Sequence, residues 1–256
     1  MIKLIASDLD GTLLQGNATQ LDSEIFDIIL HLKKKGITFV AASGRQLASM
    51  KHLFTPIIDE ISYIAENGGL LVHDGEMQVS AEIPPELSFR ILDCAQKYPN
   101  CKILLSCVST CYVLDTEVDF YNYVFESYHN DITMIDDFSK IQEPFLKISL
   151  QCKENYDDAL KYFHEIFHEE IKVVNAGKCW VDFVPFHTNK GIALQAILEK
   201  MHLSREEMIA FGDQQNDLEM LEFAGKSYAM ANSSDEVKGH ADAITDSVLD
   251  ILKTLI

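Results

Sequence analysis

Basic side chains are scarce in this sequence. Lysine and arginine total 21 against 40 aspartates and glutamates, a formal net charge of −19 over 256 residues. Binding to a nucleic-acid backbone depends on basic groups displacing counterions from phosphates, so a nucleic-acid partner is disfavoured. The same charge repels anionic ligands at long range, and any phosphate site must carry its own local positive charge. No apolar run approaches the ~18 residues of a membrane-spanning helix, and low-complexity tracts are absent. The chain reaches Asp8 before a signal-peptide hydrophobic region of ordinary length can form. A cytoplasmic protein without a membrane partner is therefore expected. The six cysteines (94, 101, 107, 111, 152 and 179) form no CxxC pair. In a cytosolic chain such cysteines are expected to be buried, reduced thiols rather than three disulfides.

What the sequence does contain is a hydrophobic share of 47%, enough for one large domain or two. The segment Ile2-Lys3-Leu4-Ile5-Ala6-Ser7 is short, largely apolar and without helical period, the pattern of a buried parallel strand. From Asp22 to Lys35, Ile25, Ile28, Ile29 and Leu32 recur at helical spacing, and Gly36 closes the segment. The apolar run Ile37–Ala42 follows, completing a strand–helix–strand unit that implies a parallel sheet. A helix near Gln46–Phe54, a strand at Ile61–Ala65, a turn at Glu66-Asn67-Gly68-Gly69 and a hairpin from Leu70 extend the pattern.

The interval from Ser43 to Lys190 is far too long for a loop in a doubly wound sheet. Helical segments at Glu86–Tyr98, Asp119–Tyr128 and Asn155–Phe167 alternate there with strands at Lys102–Val108, Cys111–Leu114, Phe145–Gln151, Ile171–Asn175 and Trp180–Val184. An inserted α+β domain with an antiparallel sheet is predicted over 83–185, its hinges near Pro84-Pro85 and Pro185. A doubly wound, Rossmann-like α/β core is predicted over 1–82 and 186–256. Its second half includes a helix over Asn189–His202, a capping box at Ser204-Arg205-Glu206-Glu207 and a strand at Met208–Phe211.

Asp8-Leu9-Asp10-Gly11-Thr12-Leu13 closes the first strand, at the sheet edge where open α/β folds bind ligands. If the extended geometry continues, the two carboxylates face one small volume. Such a pair repels unless a cation lies between, and a hard divalent ion with oxygen ligands, Mg²⁺ beside a phosphate, suits it. A solvated turn uses the same residue types.

This stretch resembles the first motif, DxDGT, of the haloacid dehalogenase-like (HAD) phosphatases. Three further motifs follow in family order: Ser43-Gly44-Arg45, Lys190-Gly191, and Gly212-Asp213-Gln214-Gln215-Asn216-Asp217. The likeness runs through the whole chain and is greatest to the Cof-like branch with a C2B cap, of subfamily IIB. The resemblance implies Asp8 as nucleophile, forming an aspartyl-phosphate, and Asp10 as the acid and base of the two half-reactions. It implies a Mg²⁺ site from Asp8, the backbone carbonyl of Asp10, and Asp213. Ser43, Gly44, Lys190 and Asn216 would bind phosphate, with Lys190 also holding Asp8. Thr12, Arg45 and Asp217 have supporting places, and Asp217 would orient Lys190 or a metal-bound water. In the cap, Trp180 and Asp182 are expected to line the cleft, although a lone tryptophan is more often simply buried.

The expected activity is Mg²⁺-dependent hydrolysis of small phosphorylated metabolites, sugar phosphates above all. A phosphomutase of the phosphomannomutase type and a non-catalytic phosphate-binding regulator are the alternatives. A regulator has no need of a proton-transfer acid such as Asp10. His164-Glu165-Ile166-Phe167-His168 matches the HExxH of zinc proteases, but no third ligand follows at a suitable spacing, and an exposed helix explains it. Two glycosylation sequons, at Asn17 and Asn232, are without consequence in a cytosolic chain.

Overall fold

Strand β1 (Leu4–Ser7) is buried at every position in the computed structural model, which describes all residues except Lys178. Helix α1 (Ser23–Lys34) follows, capped by the Asp22 side chain, which accepts from the Glu24 N–H and satisfies one of the orphan donors of the first turn. Then come β2 (Thr38–Ala42), α2 (Leu47–Leu53), β3 (Ser62–Ala65) and the hairpin β4 (Leu70–His73) and β5 (Glu76–Val79).

The chain next enters a second unit. Its elements are α3 (Pro85–Lys97), β6 (Lys102–Cys107), β7 (Cys111–Leu114), α4 (Val118–Tyr128), β8 (Ile132–Ile135), β9 (Phe145–Gln151), α5 (Tyr156–Phe167), β10 (Lys172–Asn175) and β11 (Trp180–Val184). The remainder comprises α6 (Lys190–Met201), β12 (Met208–Gly212), α7 (Leu218–Phe223), β13 (Lys226–Met230), α8 (Asp235–Gly239), β14 (Ala243–Thr245) and α9 (Val248–Lys253). One compact unit is Met1–Ser80 with Asn189–Ile256, and the other is Ala81–Thr188.

The first unit holds an eight-stranded sheet in the order β14-β13-β12-β1-β2-β3-β4-β5. Pairing is parallel from β14 through β3 and antiparallel across β3, β4 and β5. The connections reverse direction on either side of β1, so its carboxyl end opens at the switch point where such sheets bind ligands. Alternate residues Leu4 and Ala6 on β1 and Val40 and Ala42 on β2 share one core with Ala193, Leu194 and Ile197 of α6. Each fully buried leucine or isoleucine contributes about 1.5–3 kcal/mol. That burial fixes β1 and α6, the two elements from which the first and third motifs project.

The second unit holds a six-stranded sheet, β10-β11-β9-β6-β7-β8. Helices α3 and α5 cover one face, with Leu87, Ile91 and Phe163 meeting Ile103, Ile148 and Phe183. Two expectations fail here. The sheet is mixed, because β7 and β8 pair in parallel. Helix α4 makes the crossover between them, burying Phe120 and Val124 against Leu104 and Val113. Cys101 and Cys152 form a disulfide rather than a pair of reduced thiols. The antiparallel register pairs Lys102 with Gln151, so the cysteines just beyond face each other with Cα atoms 4.5 Å apart, within bonding range. Cys94, Cys107, Cys111 and Cys179 remain thiols. No helix among the described residues is long and apolar enough to cross a membrane.

Candidate active site

Four segments meet at the carboxyl end of β1. Asp8 follows the strand directly and is buried, its N–H bonded to the Phe211 carbonyl of β12. Asn189 caps α6 with its side chain, accepting from the Ile192 N–H, and so sets Lys190 in the first helical turn. The Lys190 side chain is fully buried, with Nζ 2.5 Å from Asp8 Oδ1 and 2.6 Å from Asp217 Oδ1. The other Asp217 oxygen accepts from the N–H groups of Asp213 and Gln214, at 2.9 and 3.0 Å. Asp217 is thereby committed to holding Lys190 and the turn after β12. Thr12 donates to Asp213 Oδ1 at 2.8 Å, and Gln214 Nε2 to Asp213 Oδ2 at 3.0 Å.

Two glycines make this convergence possible. Gly11 has φ +91°, and a Cβ there would lie 2.1 Å from Asp213 Oδ2. At Gly212 a Cβ would lie 2.5 Å from Asp217 Cβ. Any side chain at either position would displace the acid beside it.

Ligand oxygens of Asp8, Asp213 and Asp217 all lie within 4.8 Å of one another. Three buried carboxylates against one lysine leave two formal negative charges uncompensated. Burial pushes the Asp8 carboxyl well above the usual carboxylate range; Asp217 adds to the rise, and Lys190 opposes it. Burial also raises Asp213, against the lowering hydrogen bonds from Thr12 and Gln214. For Lys190 burial acts downward, but the Asp217 and Asp8 charges outweigh it and hold the ammonium above its ordinary value. An excess of two negative charges presented by hard oxygens fits a hard divalent cation. Asp8 and Asp213 are candidate side chains to hold it, Asp217 being the acid that also orders the backbone of the turn after β12.

Asp10 does not join this group. The strand ends at Ser7, and the turn through Gly11 brings Gly11 N–H to the Leu14 carbonyl and Leu14 N–H to the Leu9 carbonyl. The same-side relation of an extended strand lapses there, and the Asp10 side chain stands half exposed to solvent. Arg45 grips it as a fork, Nε to Oδ2 at 2.8 Å and Nη2 to Oδ1 at 2.6 Å. Asp10 is therefore not one of the three clustered carboxylates, and its side chain is held by Arg45 instead. Ser43 is buried, and its Oγ accepts from the Arg45 N–H at 3.2 Å. Asn216 is exposed and donates to Asn67 Oδ1 at 2.9 Å.

Residues 5–250 match the haloacid dehalogenase-like hydrolase family. The chain is a haloacid dehalogenase-like hydrolase. A relative in Escherichia coli K12, the 5-amino-6-(5-phospho-D-ribitylamino)uracil phosphatase YbjI, is 28% identical over 261 residues, covering 100% of this chain and 96% of that one. Among solved structures, TM0651 of Thermotoga maritima superposes with a TM-score of 0.87 at 26% identity, covering 99% of this chain and 97% of that one. The sugar phosphatase BT4131, of HAD subclass IIB, shares the fold with a TM-score of 0.79 at 20% identity, covering 99% and 98%.

In this HAD-like hydrolase the motif residues Asp8, Thr12, Lys190, Asp213 and Asp217 are joined by direct hydrogen bonds. Trp180 and Asp182 belong to the inserted unit. Trp180 packs its indole near the rings of Phe120 and Tyr128, and Asp182 is buried 3.6 Å from Lys147. The HExxH residues lie on and just after α5, with His164, Glu165 and His168 exposed and the two imidazoles stacked at 5.0 Å. Among the described residues they gather no third metal-binding group.

Sequence reasoning missed Asn67, read only as part of a turn. The signal was available: Glu66-Asn67-Gly68-Gly69 follows β3 at the same sheet edge as the motifs. Gln214 was an unassigned position inside the fourth motif, and nothing in its spacing distinguished it.

Proposed function

We propose that the protein is a Mg²⁺-dependent phosphatase of small phosphorylated metabolites, sugar phosphates in particular, acting through an aspartyl-phosphate on Asp8. The carrying observation is Lys190 Nζ shared by Asp8 and Asp217 at 2.5 and 2.6 Å, inside a buried cluster with two unmatched negative charges. The phosphatase names of relatives such as YbjI support the same reading.

Asp8 and Asp213, with the Asp10 backbone carbonyl, would hold Mg²⁺. Bound there, the ion would neutralise charge on the transferring phosphoryl group. The chain's own residues supply the rest. Lys190 fixes the Asp8 carboxylate so that its free oxygen points at phosphorus, and position matters more than nucleophilicity because the transition state is loose. Phosphorus exchanges its ester oxygen for Asp8 Oδ2, and the leaving oxygen takes a proton from Asp10. The same Asp10 then accepts a proton from the water that cleaves the aspartyl-phosphate, restoring Asp8 and releasing inorganic phosphate. Ser43 Oγ, the Gly44 N–H and Asn216 would steady the phosphoryl oxygens. Arg45 would keep the Asp10 carboxylate aimed until the substrate phosphate offers its guanidinium a second acceptor.

Turnover of an aryl phosphate with Mg²⁺ tests this reading. Activity should disappear on exhaustive chelation and return with Mg²⁺. Asp8→Asn should fall to background, roughly 10⁴-fold or more, as for loss of a nucleophile. Full activity after chelation, or turnover by Asp8→Asn near that of the natural enzyme, would refute it.

A further inference from the structure

The turn after β3 is strained. Glu66 has φ +50° and Asn67 φ +56°, two consecutive non-glycine residues in the left-handed region, and Gly68 follows at φ +103°. Left-handed geometry crowds the Cβ of a non-glycine residue against its own backbone, and asparagine tolerates it best. Such backbone persists where surrounding contacts over-determine it, and it clusters at functional sites.

The contacts here run to three of the four motifs. Glu66 N–H donates to the Arg45 carbonyl, and Asn67 N–H to the Ser43 carbonyl, both at 3.0 Å. The Asn67 side chain lies over Gly44, where a Cβ would come within 3.0 Å of both Nδ2 and Oδ1. Gly68 presses on the Asn189 backbone just ahead of Lys190, since a Cβ there would stand 2.4 Å from the Asn189 oxygen. Asn67 Oδ1 accepts from Asn216 Nδ2 at 2.9 Å.

The last bond decides the chemistry of the amide. With Oδ1 engaged by Asn216, the end of Asn67 still available is Nδ2, a pure donor with no acceptor among the described residues. It lies half-buried beside Gly44, whose N–H is itself a candidate phosphate donor. A protein of net charge −19 must bind an anion with locally placed donors. Neutral N–H groups do so without adding a cation that would compete for Asp8.

We propose that Asn67 is a phosphate-binding residue of this site, paired with Asn216 so that two side-chain amides present N–H groups to the phosphoryl oxygens. The strained 66–68 backbone holds that pair in place. This inference rests on the phosphate-site reading above and adds to it a binding residue outside the four motifs.

The test compares Asn67→Gly and Asn67→Asp. Glycine relaxes the left-handed backbone and removes the amide, so the fold is kept. Aspartate tolerates the same backbone and can still accept from Asn216, but it replaces the donor with an anion. Binding of inorganic phosphate to the Mg²⁺-loaded protein is measured by calorimetry, beside kcat/KM for an aryl phosphate. Asn67→Gly should weaken phosphate binding and lower kcat/KM by on the order of 10- to 100-fold, the scale of a hydrogen bond to a charged group. Asn67→Asp should lose at least as much. Both should keep the Mg²⁺-induced rise in thermal midpoint. In Asn67→Gly/Asn216→Ala the losses should be well short of multiplicative. Phosphate affinity within two-fold of the natural protein in Asn67→Gly, or an Asn67→Asp variant equal to it, would overturn the inference. A natural protein that binds phosphate but turns over no ester would sink the phosphatase reading alone. One that binds no phosphate would sink both.

Discussion

Among the described residues, each of the two units buries one lysine against an aspartate, and the pairs are built differently. In the core unit Lys190 is fully enclosed and touches two carboxylates at hydrogen-bond distance, with a third acid beside them. In the inserted unit Lys147 lies 3.6 Å from Asp182, on neighbouring strands of one sheet. The first arrangement holds more negative charge than its lysine can match, which is costly in a folded protein unless a cation or a reaction requires it. In the second, Lys147 and Asp182 face each other at a distance beyond a hydrogen bond. A buried group in which three acids share one lysine distinguishes the core unit.

Removing the two lysines should separate these roles most strongly. Lys190→Met leaves Asp8 and Asp217 without their shared cation. Turnover of every substrate should fall by roughly 10³-fold or more, and the metal-free protein should lose about 3–5 kcal/mol of stability. Lys147→Met breaks a looser contact, costing about 1–3 kcal/mol, and should leave turnover of a small aryl phosphate within a few-fold. Steady-state kinetics and denaturant titration of both variants check this. Equal loss of aryl phosphate turnover would erase the distinction between the units.

A smaller effect sharpens the roles within the core. Asp10→Asn keeps the backbone carbonyl and the reach to Arg45 but removes the proton. Formation of the phospho-enzyme from sugar phosphates should slow by about 10²–10⁴-fold, the usual range for general acid catalysis. An aryl ester, whose leaving group needs no proton, should lose far less in that step and should accumulate phospho-enzyme. Single-turnover measurements giving the same loss for both leaving groups would contradict the assignment of Asp10.

The smallest expected effect lies on the surface of the inserted unit. His164→Ala with His168→Ala should alter stability by no more than about 0.5 kcal/mol, as for exposed sites in general. Phosphatase activity should stay within a few-fold. Stoichiometric zinc lost with the two imidazoles would give that helix a role after all.

Much of the core was legible because its signals are local. The apolar run before Asp8, the period of Ile25, Ile28, Ile29 and Leu32, and the capping box at Ser204-Arg205-Glu206-Glu207 each state an element within a few residues. What escaped depends on which distant segments meet. Ile132–Ile135 is half exposed and without clear alternation, so β8 could not be told from a loop, nor its parallel pairing from the antiparallel one expected. The Cys101–Cys152 bond follows from the register of β6 on β9, which neither strand carries alone. The fork between Arg45 and Asp10 requires the chain to turn at Gly11 before the extended geometry can carry Asp10 inward. Asn67 looked like any turn residue, since its importance lies in contacts with Gly44 and Asn216.

The inserted unit is one unbroken stretch, Ala81–Thr188, whereas the core is made of two pieces that flank it. Ribosomes build a chain from its amino end, so every residue of the inserted sheet is synthesised before Lys190, Asp213 or Asp217 exists. Bonds such as Thr12 to Asp213, 201 positions apart, close among the longest loops in the molecule. Contacts of that sequence separation are the slow ones in folding. Until they form, β1 lacks its β12 neighbour and Asp8 lacks its lysine. During biogenesis the acidic cluster therefore cannot be assembled until the whole inserted unit has been made, and until then Asp8 stands without Lys190, Asp213 and Asp217.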